Sequence, residues 1–332
     1  MLIGSAFVDG LRRVRRAPGL VIGLWLSTIL LALPLAIALR GLIDAHLGAS
    51  LAATSAVRGV NFDWWNEFLA QTTGVGQSFV PAILGFAAVL DNLSGVADAR
   101  GLPLVVASVV ATQLGVSMFL IGGVLDRLAR DRALGAGGFF AACGVYFVRF
   151  LRLGAIAAAV YWFLFVTLHT WLFDGLYPRL IADVTVERTA FVYRMALYVV
   201  FAVPVLLANL VFDYAKVRAV VEDRRSMIGA LSAGARFVVR NPATIGLYAL
   251  NTMAFLLVLV LYFVVVPDGG STLTAFAVGQ VYIVLRVVVR LQFAASQTAL
   301  FQGRLAHAGY VARPVPAWPD SPSAEALGPQ GS

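Results

Sequence analysis

Two arginines, Arg286 and Arg290, stand four residues apart in the otherwise apolar run VYIVLRVVVRLQF at 281–293. Four residues is about one helical turn, so both guanidiniums project from one face of a helix. At the centre of a bilayer such a group costs about 3 to more than 10 kcal/mol unless something receives it. Three recipients are open. In the first, Arg290 snorkels to the inner interface while Arg286 bonds backbone carbonyls, Gln280 or a tyrosine. In the second, Asp91 or Asp98 folds inward from an outer segment. In the third, an anion such as a lipid phosphate or a carboxylate-bearing solute is gripped by the planar guanidinium fork.

Four further arginines are marked by a repeated pattern. Gly10-x-Arg12-x-Val14-x-Arg16-x-Pro18 recurs as Gly234-x-Arg236-x-Val238-x-Arg240-x-Pro242, and a long apolar run follows each proline. A looser copy, Gly144-x3-Val148-Arg149-x2-Arg152, precedes another apolar run without a proline. In the last copy Met227, Ile228, Leu231, Ala235, Val238 and Val239 form an apolar stripe at helical spacing, opposite Arg225, Ser232, Arg236 and Arg240. A helix of this kind lies along a membrane surface with its arginines among head groups. The proline then suits the first turn of the next helix, where its missing N–H costs nothing. Arg12, Arg16, Arg236 and Arg240 therefore join Arg286 and Arg290 as candidate contacts for an anion or anionic lipid.

Other chemistry is hard to find. The chain holds no H-E-x-x-H, G-x-S-x-G, Walker A or G-x-G-x-x-G motif. His46, His169 and His307 fall in separate regions, and His169, beside Thr170 and Trp171, reads as an interface histidine. Gly135-Ala136-Gly137-Gly138 has no preceding strand and reads as a hinge between surface helices. The single Cys143 excludes an intrachain disulfide. The expectation is no catalytic residue, metal or cofactor, and no enzyme.

The elements that must position these arginines are membrane spans. Of 332 residues 60% are hydrophobic and 13% charged, with mean hydropathy +0.87, against the roughly 25% charged of a soluble domain. Six spans are expected at about 19–39, 102–125, 153–173, 190–212, 243–266 and 273–300. Pro34 and Pro204 lie inside two of them, where a proline kinks a helix. Gly19–Leu39 is too long for a signal-peptide core and reads as a retained span.

An outer insertion at about 41–101 contains Trp64 and Trp65, which suit a membrane–water interface or cover apolar surface. Its apolar piece Phe79–Leu90 is too short to cross the roughly 30 Å hydrocarbon core. The proline-rich tail, 312–332, is expected to be disordered.

Counting charges orients the chain. Segments 1–18, 126–152, 213–242 and 301 onward carry seventeen Lys and Arg, against five on the other side, which places both termini in the cytoplasm. The repeat also reaches the ends of the units. Gly10 to Asp126 is 116 residues, Gly144 to Asp213 is 69 and Gly234 to Gln302 is 68, so the first unit carries an insertion of 47. The expected fold is an all-α integral membrane protein: three tandem hairpins, units about 1–132, 133–218 and 219–304, each preceded by a cytoplasmic amphipathic helix, within a domain spanning 1–311. Aligning the unit ends puts Leu197 and Phe201, or Val110 and Leu114, where the third unit has Arg286 and Arg290.

Gly234–Pro242, its copy Gly10–Pro18, and Asp213 with the helix after it resemble bacterial six-span membrane proteins, notably the membrane domain that accompanies glycerophosphodiester phosphodiesterases. The resemblance implies a six-span helical fold. It implies no activity here, since no phosphodiesterase domain is present.

Three functional classes are open. An anionic-lipid-binding or scaffolding protein of the bacterial inner membrane would use the basic surface helices. A transporter of an anionic solute or lipid would use Arg286 and Arg290 in a cavity between repeats. An intramembrane enzyme lacks a nucleophile, base or metal set. The expected partners are the bilayer and anionic phospholipid, with no nucleic acid. Reporter fusions after residues 60, 140, 180 and 230 should alternate outside, inside, outside, inside; a cytoplasmic signal at residue 60 would overturn the topology.

Overall fold

The computed structural model describes residues 2–48, 50–56, 61–79, 85–102, 104–131, 135–265 and 272–307, and every regular element among them is helical. In chain order these are α1 (Ile3–Arg15), α2 (Pro18–Leu47), α3 (Ala53–Ala56), α4 (Phe62–Gln71), a 3-10 turn (Gly74–Ser78), α5 (Gly85–Ala97), α6 (Leu104–Arg130) and α7 (Ala136–Trp162). Two π-helical stretches, Phe163–His169 and Trp171–Leu176, carry α7 on to α8 (Tyr177–Ile181). They are followed by α9 (Glu187–Val221), α10 (Met227–Arg240), α11 (Ala243–Val265) and α12 (Thr272–His307).

Among the described residues six helices are long and apolar enough to cross a membrane: Pro18–Leu47, Leu104–Arg130, Ala136–Ile181, Glu187–Val221, Ala243–Val265 and Leu273–Leu305. They contain nearly all of the six expected spans. Pro18 occupies the first turn of α2, as its fixed φ favours, while Pro34 and Pro204 are carried inside unbroken helices. None of α2 is buried; Ile22, Leu26, Leu30, Leu33 and Ile37 all face outward. A helix whose long apolar outer face has no protein over it is one whose natural solvent on that face is hydrocarbon.

The three copies of the Gly-Arg pattern do not fold alike. Separate helices α1 and α10 precede α2 and α11. The middle copy instead runs without a break into the long helix that starts at Ala136. The reason is local: Pro18 and Pro242 disfavour helical geometry in the residue before them, and the middle copy has no such proline. The expected separate amphipathic helix before the second hairpin is therefore absent from the described residues.

All three copies nevertheless meet a neighbour in the same cyclic order. The most extensive helix–helix contacts are α7 on α6, α1 on α12 and α10 on α9. At the centre, α6, α9 and α12 also touch one another pairwise. The main core joins them through Leu125, Tyr214, Val217, Leu300 and Phe301, with Leu247 of α11 beside them, and a smaller cluster of Val14, Val124, Leu128, Leu291 and Ala295 ties α1 to α6 and α12. Polar bonds reinforce that end. Arg13 donates to the Leu128 carbonyl at 2.8 Å and to Gln302 Oε1 at 2.8 Å, Gln302 donates to the Ala129 carbonyl at 2.8 Å, and Arg127 donates to the Arg16 carbonyl at 2.9 Å.

α10 packs through a face that the expected apolar stripe only partly includes. It buries Met227, Ala230, Ala233, Gly234 and Val238, while Ile228 and Val239 point outward. The helices approach most closely where side chains are smallest, so the interface rotates onto Ala230, Ala233 and Gly234 and leaves the bulky residues outside.

At the opposite end the described parts of the 41–101 segment pack on the helices. Asn61 caps α4 by accepting from the Trp64 amide at 3.1 Å, and the buried Trp64 and Phe68 enclose His46. The 3-10 turn rests on α2 and α6. Trp64 thus covers apolar surface, and Trp65 donates to the Phe79 carbonyl at 3.0 Å. Part of Phe79–Leu90, and the tail 312–332, lie outside the described residues.

One close approach is decisive for this packing. A Cβ added at Gly10 would lie 2.7–2.8 Å from the backbone N, Cα and Cβ of Ser296 in α12, whereas one at Gly144 would meet nothing within 4 Å. Gly10→Ala should therefore lower the thermal unfolding midpoint of the detergent-purified protein, by the equivalent of about 1–3 kcal/mol, the usual cost of overpacking. Gly144→Ala should leave it unchanged or slightly raised, because alanine is the better helix former. Equal losses in both would refute the asymmetry.

Candidate anion-binding site

The site starts from the end of α9. Glu222 closes the helix, Asp223 adopts a left-handed φ of 47°, the Asp223 amide donates to the Val220 carbonyl at 3.4 Å and the Arg224 amide to the Ala219 carbonyl at 3.1 Å. This paired closure turns the chain sharply, and aspartate tolerates the left-handed conformation better than most side chains. It fixes Arg224 beside Arg218. Both converge on Glu222: Arg218 reaches it at 2.7 Å and Arg224 pairs with its other oxygen. Arg218 also donates to the Ala233 carbonyl of α10 at 2.7 Å and lies 5.4 Å over the Phe301 ring.

α10 supplies the second wall. Ser226 caps its start by accepting from the Gly229 amide at 3.2 Å. A Cβ at Gly234 would sit 3.0 Å from the Ala215 amide nitrogen, so only a residue without one lets α10 lie this close to α9. With the small face committed to α9, Arg236 and Arg240 project along the helix edge. α12 supplies the third wall through Arg304 and Leu305.

These three walls border an open-sided cavity of about 530 Å³ lined by Arg218, Arg224, Arg236, Arg240 and Arg304, with Phe237 and Leu305 among its apolar lining. The volume falls in the range of small-ligand sites. Five guanidiniums meet one carboxylate, Glu222, and the Arg304 Nε is buried with no partner among the described residues. Such an arrangement is short of negative charge and suits a phosphate or carboxylate, which can bridge several guanidiniums at once.

The six sequence-predicted arginines are thus divided. Arg236 and Arg240 line the cavity. Arg12 and Arg16 do not; Arg16 is bound to Asp131 at 2.8 Å and Arg12 is exposed on α1. Arg218, Arg224 and Arg304 were missed. The first two lie in the same basic segment as Arg236 and Arg240, which was a usable signal, but Arg304 arrives from another helix and only the fold brings it in.

Arg286 and Arg290 lie farther along α12. Arg286 is 5.7 Å from the centre of the Tyr282 ring, which stacks on Tyr262 with centroids 4.2 Å apart. No carboxylate lies within 4.0 Å of either arginine among the described residues; Asp213 acts on Arg290 only at longer range. The inward-folded partner is excluded for Asp91 and Asp98, because both are engaged elsewhere. Asp91 pairs with Arg100 at 3.1 Å, and Asp98 with Arg194 at 3.2 Å and with the Tyr198 hydroxyl. Arg194, near the start of α9, belongs to this clasp. His169 is satisfied there too, its Nε2 lying 2.9 Å from the Ala97 carbonyl and its ring stacked on Phe173. Among the described residues no cluster of three His, Cys, Asp or Glu could hold a metal.

The outer clasp generates a pH prediction. The Tyr198 hydroxyl bond, followed by Ser94 and Arg194, holds Asp98 below its ordinary carboxylate value, against the opposing effect of burial. A depressed folded value stabilises the folded protein fully above the unfolded value, about 3.9, and that contribution is lost as pH falls through the folded value. Asp98→Asn should therefore lower the melting temperature at neutral pH, and the gap from the parent protein should close as pH drops below about 4. A gap independent of pH would show that Asp98 acts by packing alone.

The chain matches no family model, no curated protein and no solved structure, so its function rests on the site itself.

Proposed function

We propose that this chain is a multi-pass protein of the bacterial inner membrane that binds anionic phospholipid through the five-arginine cavity at its cytoplasmic face. The observation that carries the reading is the cavity's charge: five guanidiniums against a single carboxylate, with a buried Arg304 nitrogen left without a partner. Like charges held this close repel one another unless a counter-anion joins them. A phosphodiester or phosphomonoester provides several acceptor oxygens at once, and the apolar Phe237 and Leu305 side of the cavity suits the glycerol end of a lipid.

Three further features support placing this face in the cytoplasm. The seventeen-to-five arginine asymmetry puts the basic end inside. Ile228 and Val239 point outward from α10, as a helix seated in the interface requires. The cyclic contacts of α1 on α12, α7 on α6 and α10 on α9 fit three tandem hairpin units, each docked on the one before and the first docked on the last. On this reading the basic segments are the fasteners between units, and the lipid site sits at one such junction. Binding there would scaffold the ring.

The test uses protein in nanodiscs of phosphatidylcholine with increasing phosphatidylglycerol. The parent protein should be stabilised by phosphatidylglycerol and should retain it through purification. Arg236→Gln with Arg240→Gln should weaken retention by roughly tenfold or more per lost charged contact, while the melting temperature in pure phosphatidylcholine stays near that of the parent. Stabilisation by inorganic phosphate in place of the lipid would reassign the cavity to a soluble anion. Undiminished phosphatidylglycerol retention in the double variant would rule out the site.

A further inference from the structure

The cavity is the inner end of a longer feature. Arg304 stands 18 residues after Arg286, which is five turns at 3.6 residues per turn, so the two side chains leave α12 in nearly the same direction. Arg290 and Gln297 fall within about 40° of that direction. Arg286, Arg290, Gln297 and Arg304 thus form one polar stripe about 27 Å long, close to the roughly 30 Å thickness of a hydrocarbon core.

Its surroundings make the stripe the floor of a furrow. α12 packs on both α9 and α11, but α9 and α11 share no extensive contact with each other. Polar groups stand on both walls. On one side are Asp213, held by Lys216 at 2.6 Å, and Asn209, which accepts from the Tyr161 hydroxyl. On the other are Tyr262 stacked on Tyr282, and Tyr248 against Phe293. Arg286 and Arg290 are exposed in the furrow, and a Cβ at Gly279, on the same face, would meet nothing within 4 Å. The stripe is closed over one stretch, Gln297 to Phe301, where Leu300 and Phe301 are wholly buried. Gln297 is buried, 2% exposed, and donates to Asp213 Oδ2 at 3.3 Å, a long bond that joins α12 to α9 between Arg290 and Arg304.

We infer that this furrow passes the head group of an anionic phospholipid between the inner cavity and the outer half of the bilayer, with Gln297 and Asp213 as its constriction. The inference rests on the cavity reading and extends it from binding to translocation. The physical reason is the distribution of cost. A phosphate dragged through hydrocarbon has no partner, whereas here three guanidiniums and the Gln297 amide, spaced at most seven residues, about 10 Å, apart, offer successive partners while the acyl chains stay in lipid. Seven residues separate Arg290 from Gln297, and seven more separate Gln297 from Arg304. Lys216 offsets the Asp213 charge at the narrow point, so the constriction is polar without being strongly repulsive to an anion. The weak Gln297 bond is the part that must open.

The full chain, reconstituted in phosphatidylcholine vesicles with a trace of head-group-intact, tail-fluorescent phosphatidylglycerol, provides the test. A membrane-impermeant reductant bleaches only label in the outer leaflet, so continued bleaching reads translocation. The parent protein should drive bleaching past the outer leaflet. Arg286→Leu with Arg290→Leu should slow that phase at least tenfold while phosphatidylglycerol retention at the cavity is kept. Gln297→Ala should speed it. Should the double leucine variant fail to fold, Gln297→Ala decides: a faster phase supports the furrow, and an unchanged one overturns it. An unchanged rate in the double variant, or a parent rate equal to that of protein-free vesicles, also overturns it and leaves the cavity reading intact, because retention is measured separately. Release of trapped inorganic phosphate without lipid movement would overturn the lipid as the occupant.

Discussion

Where α1 crosses α12, the Gly10 position brings two backbones together so closely that no Cβ fits between them; where α10 crosses α9, Gly234 does nearly the same against Ala215. The α6–α7 contact has its own version, with Gly123 against Phe139 and Cys143. In hydrocarbon there is no hydrophobic gain from pressing one apolar helix on another, so association depends on close packing and on backbone or side-chain hydrogen bonds. These contacts meet that requirement at the three most extensive interfaces. Everything polar at the basic end depends on them, because Arg13, Arg127 and Arg218 each donate to a carbonyl of another helix or of the segment that follows it, and those distances exist only when the helices touch.

The same closeness sets the electrostatics. Arg218 donates to Ala233 and Glu222, and Arg224 shares Glu222, so the carboxylate nearest the cavity is used in holding its wall. Arg236, Arg240 and Arg304 are brought to the rim with no carboxylate within 4.0 Å among the described residues. Arg236 and Arg240 keep their charges in contact with solvent, but the buried Arg304 nitrogen has no such recourse, and an unpaired buried guanidinium nitrogen is costly. That these three cations from α10 and α12 meet at one rim is what gives the cavity its meaning.

The six spans were legible because hydropathy over twenty residues is a strong signal, and the gathering of the basic segments at one end followed from charge asymmetry. Which face of α10 packs on α9 was not legible: the apolar stripe ran through Ile228 and Val239, which face outward, and packing uses the smaller Ala230, Ala233 and Gly234. The continuous middle helix was legible after the fact, in the missing proline. Arg286 and Arg290 stood out in sequence as charges in an apolar run, yet their relation to Arg304 lay in a spacing of four, seven and seven that a search for adjacent motifs does not see. Asp98 could not be assigned from sequence, since its partners Arg194 and Tyr198 lie on a helix about 100 residues away.

On the proposed repeat, one position of the hairpin has met three different fates. In the second unit Leu197 and Phe201 are buried against the π-helical stretch, where Phe165 and His169 pack on Phe201 and seal the space. In the first unit Val110 and Leu114 face outward, as side chains suited to lipid. In the third unit the same position holds Arg286 and Arg290 over a furrow. Were the cations there to stabilise the bundle, the central contacts of α6, α9 and α12 would give them carboxylates to meet, and none stands within 4.0 Å among the described residues. Two units solve the packing with apolar side chains, so packing does not require the third to be charged. On the furrow proposed above, the charge serves what moves along α12 rather than what holds it in place.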